Sequence, residues 1–223
     1  MFTERLHDLQ ENIVIFAGLV ESMIEHAIMG LTRHDGQMLQ AVIEDMEQRA
    51  NAYEIDIDGR GMNVIAQYHP MAKDLRSVLM IYNINAALER IGDHAVNIAL
   101  NAREIINHPP VKRFIDIPRM SELARNMLSG AIESFIRDDP LKAQSVCEQD
   151  DAIDGLRDQI IRELVTFMAE KPSLISDCLH IMRIADNLER IADLTTNICE
   201  DVIFMSTGRV IKHHCGDGEG HSA

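Results

Sequence analysis

Between residues 81 and 105 the chain places apolar side chains at alternating steps of three and four: Ile81, Ile84, Leu88, Ile91, Ala95, Ile98, Ala102 and Ile105. That spacing keeps one face of an α-helix apolar for about four heptads, and a strand cannot use it. One hundred residues later the seam returns as Ile181, Ile184, Leu188, Ile191, Thr195, Ile198, Val202 and Met205. A second pair of segments repeats at an offset of 103: Ile43, Ala50, Tyr53, Ile57 and Val64 are answered by Val146, Ile153, Leu156, Ile160 and Phe167. Polar residues recur in the same register, which chance similarity between two amphipathic helices explains poorly. The chain reads as an internal duplication.

Helix punctuation agrees with six long helices. Thr3 is placed to cap a first helix running to about Arg33, and Asp35 to cap a second that stops before Pro70. A third runs from about Met71 to Ile106. The linker Asn107 to Pro118 carries three prolines. A fourth helix is expected from about Arg119 to Arg137, a fifth opening at Asp139-Pro140, and a sixth capped by Ser173 and ending near Gly208. Long helices joined by short turns lie antiparallel. The expected fold is therefore all-α: two tandem, duplicated three-helix bundles over residues 1–108 and 109–212, with a disordered tail over 213–223. Aromatics at 4% and the absence of tryptophan fit helix-on-helix packing better than a β-sandwich.

Charge narrows the partners. A formal net charge of −15 argues against a nucleic-acid backbone and against simple attachment to anionic lipid. The opening MFTERLHDLQ lacks a signal-peptide core, and the early apolar run Ile13 to Val20 is far short of a bilayer span, so a soluble protein is expected. Cys147, Cys178, Cys199 and Cys215 are widely spaced and suit a reducing compartment.

Within the repeat, Glu89, Asp93 and Asn97 match Glu189, Asp193 and Asn197. Residues four apart share a helix face, so each trio forms an oxygen-rich stripe turned away from the seam. On the second and fifth helices, Glu47 and Asn51 match Asp150 and Asp154. Where neighbouring helices bring these stripes together, each half carries an open carboxylate patch suited to Mg²⁺, Ca²⁺, Mn²⁺ or iron. Solvated surface charge, partly matched by Arg90 and Arg190, is the plainer alternative. Arg76 reads as a structural clamp and His94 as a surface histidine. His213, His214, Cys215 and His221 have a soft-metal composition without regular spacing.

The segments LERIGDHAVNIA (Leu88 to Ala99) and LERIADLTTNICE (Leu188 to Glu200), with HPMAKDLR before the third helix, resemble the PhoU family over about residues 4 to 212. The resemblance implies two similar three-helix bundles bearing E(D)-x-x-x-D motifs, which in some members hold iron or zinc clusters. It transfers that role to Glu89 with Asp93, Glu189 with Asp193, Asp150 with Asp154, and Glu47. Zinc and iron join manganese and magnesium as candidate metals. Asn51 departs from the motif, Leu100 stands where the family has glutamate, and Ala192 and Leu194 replace glycine and histidine.

The resemblance also implies a cytoplasmic adaptor, not an enzyme, acting at the inner membrane through its partners. Those are the ATPase subunit of a phosphate ABC transporter and a sensor histidine kinase. Such a protein restrains phosphate uptake and the phosphate-starvation genes, and a homodimer is the default assembly. The rivals are a ferritin-like di-metal enzyme and a purely structural helical scaffold. The first needs inward glutamates with paired Glu-x-x-His motifs, whereas this chain offers one, Glu4 to His7.

Overall fold

The computed structural model describes residues 1–112 and 114–207, and among these the secondary structure is helical with no strand. The elements are α1 (Phe2–Arg33), α2 (Gly36–Gln40), a π-helical segment (Ala41–Met46), α3 (Glu47–Tyr68), α4 (Lys73–Ile105), α5 (Asp116–Arg137), α6 (Pro140–Cys147), α7 (Asp150–Glu170), a 3₁₀ turn (Pro172–Leu174) and α8 (Ile175–Thr207). They make six rods, because α2 runs through the π segment into α3, and α6 and α7 are parted only by a turn at Glu148 and Gln149. The residues expected to form a disordered tail, with His213, His214, Cys215 and His221, lie outside the described residues.

Both seams, in α4 and in α8, are core. Every member from Ile81 to Ile105 is buried, as are Ile181 to Val202 in α8, with Met205 packed against the edge. The buried side chains form one continuous cluster drawn from both halves. The reason is the packing of α4 along α8, the most extensive contact of any pair of described elements. These helices run antiparallel and are tied by side-chain bridges. His94 Nδ1 donates to Asn187 Oδ1 at 2.8 Å, His180 Nδ1 to Asn101 Oδ1 at 2.9 Å, and Asn83 Nδ2 to Asp201 Oδ2 at 3.0 Å. His94, read as a surface residue, is thus half-buried between the halves. A second tie joins α1 to α5, where Arg125 pairs with Glu25 at 3.1 Å.

Punctuation repeats as well. Asp35 accepts from the amides of Gln37 and Met38, and Asp139 from those of Leu141 and Lys142, with Pro140 in the first turn. Each cap follows a residue in the left-handed region that closes the preceding helix, His34 at φ 55° and Asp138 at φ 51°. Three expected boundaries move. Thr3 caps nothing: α1 already begins at Phe2, and the Met1 ammonium pairs with Glu4 at 2.9 Å. Ser173 lies inside the 3₁₀ turn rather than at a cap. The linker is shorter than expected, because α5 starts at Asp116 and absorbs Pro118 in its first turn, where no amide donor is needed. What remains is strapped down by His108 to Asp177 at 2.9 Å and by Lys112 to Asp116 and Glu163.

The second rods differ by one residue. Asp35 and Asp139 are 104 apart, whereas buried Ala50 and Ile153 are 103 apart. The first half therefore holds one extra residue between cap and core, and the π segment lies there, as expected when a single residue is inserted into an α-helix. It shifts the pairing read from sequence. Val42, fully buried, is the core counterpart of Val146, while Ile43 is only half-buried.

α1 is long and apolar enough to cross a membrane by length and composition, but more than half of its most apolar stretch is buried inside the fold. Two glycines test the packing. A Cβ at Gly92 meets nothing closer than Met23 Cε at 3.7 Å, whereas one at Gly61 would stand 2.9 Å from the Tyr82 ring. That ring is pinned by a hydrogen bond from its hydroxyl to the Asp58 carbonyl at 2.7 Å. In urea titrations Gly92→Ala should gain about 0.5–1 kcal/mol, and Gly61→Ala should lose about 1–3 kcal/mol. Equal effects would contradict this packing.

Candidate functional site

An α-helix turns about 100° per residue, so Asp93 lies about 200° from Ile91, nearly opposite the seam. The remaining circumference of α4 is taken by two neighbours: His94 and Asn101 face α8, and Gly92 faces Met23 of α1 and Ala50 of α3. The acids emerge on the arc left over, along the edge shared with α3. By the repeat, those of α8 emerge along the edge shared with α7. Asp93, Asn97, Asp154, Asp193 and Asn197 are exposed, as the outward stripe requires, while Glu47, Glu89, Asp150 and Glu189 are half-buried.

In the second half the carboxylates of α7 and α8 are brought together. Burial, then repulsion from Asp193, Asp154, Asp151 and Glu189, pushes the Asp150 carboxyl up to about 6. Burial also raises Glu189, where Asp193, Asp154 and Asp186 repel and Arg157 opposes them. Asp193 is raised by burial and by Asp154, against Arg157 and Arg190. All four predicted residues therefore share one electrostatic patch across the α7–α8 groove.

The first half is built differently. Burial raises Glu89, and Asp93 and Glu54 add to the shift, while Arg90 offsets part of it. The α3 carboxylate acting on Glu89 is thus Glu54, and Glu47 is not among the charges that do so. Behind Glu54 the fully buried Asn85 donates to the Glu54 carbonyl at 2.9 Å and to Asp58 Oδ1 at 2.8 Å, and its own Oδ1 finds no partner. Glu54 and Asp58 are themselves four apart, a spacing that could have marked them in the sequence had the repeat not drawn attention to Glu47. Asn51, the expected partner of Glu47, is exposed.

Carboxylate and amide oxygens suit hard or borderline cations. As the side chains stand, however, no three His, Cys, Asp or Glu residues among those described converge as a ready ligand set. A cation would have to draw the carboxylates inward. Other sequence candidates are placed elsewhere. Arg76 is exposed beside a cleft of about 210 Å³ lined by Leu79, Asn83, Asp201 and Phe204. Glu4 and His7 lie on the surface, paired with the Met1 ammonium and with Glu11. Neither approaches the inward geometry of a di-metal oxidase.

The model of the PhoU domain matches this chain twice, over residues 13–102 and 117–202. A phosphate-specific transport system accessory protein PhoU homolog of Aquifex aeolicus is 37% identical over 210 residues, covering 94% of this chain and 95% of that protein. A relative of the same name from Zymomonas mobilis is 36% identical over 93% of this chain and 87% of its own length. Among solved structures, PhoU from Pseudomonas aeruginosa superposes with a TM-score of 0.89 at 31% identity, over 94% of this chain and all of that one. The phosphate transport system regulatory protein PhoU from Streptococcus pneumoniae gives 0.87 at 26% identity, over 95% of this chain and all of that one.

The Asp150 shift has a testable sign. A carboxyl raised above its unfolded value of 3.8 is held protonated more tightly by the folded state. Its favourable contribution is complete below about pH 4 and is lost as pH rises through about 6. In chelator, Asp150→Asn should therefore raise stability at pH 7.5 by roughly 1 kcal/mol after solvent screening, with the gain fading below about pH 5. A gain independent of pH in thermal melts would contradict the crowding of charge.

Proposed function

This chain belongs to the PhoU family, and on that premise we propose that it is an accessory regulator of phosphate transport rather than an enzyme. The observation that carries this reading is that both halves match the family and that relatives named as phosphate-transport accessory proteins align over nearly their whole length. The action is negative: in phosphate-replete cells the protein restrains uptake and the phosphate-starvation genes. It does so as a cytoplasmic homodimeric adaptor between the ATPase subunit of the phosphate ABC transporter and a sensor histidine kinase. An acidic protein with its carboxylates along two exposed grooves is suited to recognising basic partner surfaces, by electrostatic complementarity.

The duplicated halves, residues 1–108 and 109–212, are taken as the two units of this adaptor. Their grooves bind divalent or iron-type cations, with Glu89, Asp93 and Glu47 in the first and Glu189, Asp193, Asp150 and Asp154 in the second. Mutual repulsion of Asp150, Asp154, Glu189 and Asp193 supports the second groove most strongly, since a bound cation relieves it. The first groove gains Glu54 as a further oxygen donor.

Deleting the gene should switch on phosphate-starvation genes in cells grown with ample phosphate, read by transcript abundance. Expression unchanged from the parent strain would remove the regulatory reading.

A further inference from the structure

The two halves treat one place on their bundles in opposite ways. A constant offset of 104 joins α1 to α5: Ile13, Phe16 and Ala27 are answered by Ile117, Met120 and Ala131, all buried. In that register Asp8 corresponds to Lys112, just before α5. In the 103-residue register of α3 and α7, Arg60 corresponds to Glu163. The second half joins these positions: Lys112 bonds Glu163 and Asp116, and with 11% of its side chain exposed it fills the gap beside α7. The first half carries the pair with its charges exchanged, and among the described residues the bond is not made. Arg60 turns along its own helix to Asp56 at 2.8 Å, and Asp8 lies 3.7 Å from Arg5 on α1, too far for a hydrogen bond.

Between α1 and α3 this leaves a cleft of about 210 Å³, with Arg5 on one wall and Arg60 on the other. Leu9 and Val64, both buried, are its apolar base. Asn63, Gln67 and the Tyr68 hydroxyl also line it, and among the described residues these groups take no hydrogen-bond partner. The Tyr68 ring is held by Phe2, with centroids 5.9 Å apart. Asp8 is the one carboxylate on the lining. In a chain of net charge −15, two guanidiniums, two amides and a phenol around one carboxylate make a local surplus of donors. Each guanidinium is a planar fork that takes two oxygens. A single carboxylate fills one fork, whereas a phosphate group has oxygens for both. The distant acids are screened beyond about 8 Å at physiological salt, so the lining decides which ions enter.

We propose that this cleft binds a phosphate group, shared by Arg5 and Arg60, so that the bound anion joins α1 to α3 where the second half uses Lys112 and Glu163. The phosphate is either the free ion or the head of a small organic ester whose body lies on Leu9, Val64 and Tyr68. Neither the regulatory nor the metal reading uses these residues, so the proposal stands or falls alone.

The test is calorimetric titration of the full chain at about 0.15 M ionic strength, with inorganic phosphate and phenyl phosphate as separate probes. Binding is expected; tighter binding of phenyl phosphate identifies an ester as the ligand, and equal affinity identifies the free ion. Arg5→Gln and Arg60→Gln should each weaken binding about tenfold. Arg49→Gln, which removes an arginine outside the cleft, should leave it unchanged. Asp8→Asn should tighten it several-fold by removing the repelling carboxylate. The double variant Asp8→Lys with Arg60→Glu, which installs the second half's ion pair, should lose binding without a lower melting temperature. Failure of both probes to bind, or binding that survives both Arg5→Gln and Arg60→Gln, would overturn the site and leave the regulatory reading standing.

Discussion

The antiparallel contact between α4 and α8 is what the rest of the molecule depends on. A helix that packs against its own bundle on one arc and against the other half on a second has little circumference left. In α4 the first arc carries Gly92, and the second carries His94 and Asn101. Glu89 and Asp93 emerge on what remains. The same division holds for α8. Core formation therefore decides where the acids can be, and it places them in two lengthwise grooves rather than scattering them over the surface. The His–Asn bridges keep the two helices in register, because a slip would leave half-buried polar groups without partners.

Duplication made the fold easy to read and the site harder. Both seams, the Asp35 and Asp139 caps and the linker were legible, because each depends on local spacing or on a residue's own preference for a helix end. Two things were hidden. The packing of one half on the other left no separate period: His94 and Asn101 look like ordinary outward helix residues, and only their bonds to Asn187 and His180 reveal the second contact face. The π segment was invisible for a different reason. A constant offset of 103 aligned Ile43 with Val146, whereas the buried residue is Val42, so the extra residue shows only as a change of offset along the rod.

The residues that face the α4 and α8 acids differ between the halves. Asp150 begins α7 after a turn and lies among the α8 carboxylates. Glu47, its counterpart by sequence, follows a continuous helical segment, and Glu54 takes up the electrostatic contact with Glu89 instead. The grooves thus share the residues of α4 and α8 but not those facing them. Glu54 and Arg157 give opposite charges to equivalent positions, so two grooves of common origin differ in their electrostatics.

The central claim is that the seams build the protein and the outward carboxylates do its work. The most direct test is a full-length variant with Glu89→Gln, Asp93→Asn, Glu189→Gln and Asp193→Asn, expressed in a strain lacking the gene. The account predicts a helical protein at least as thermostable as the parent, since repelling charges are removed, that fails to restore repression of phosphate-starvation genes. Full repression by that variant, at parental protein levels, would contradict the account.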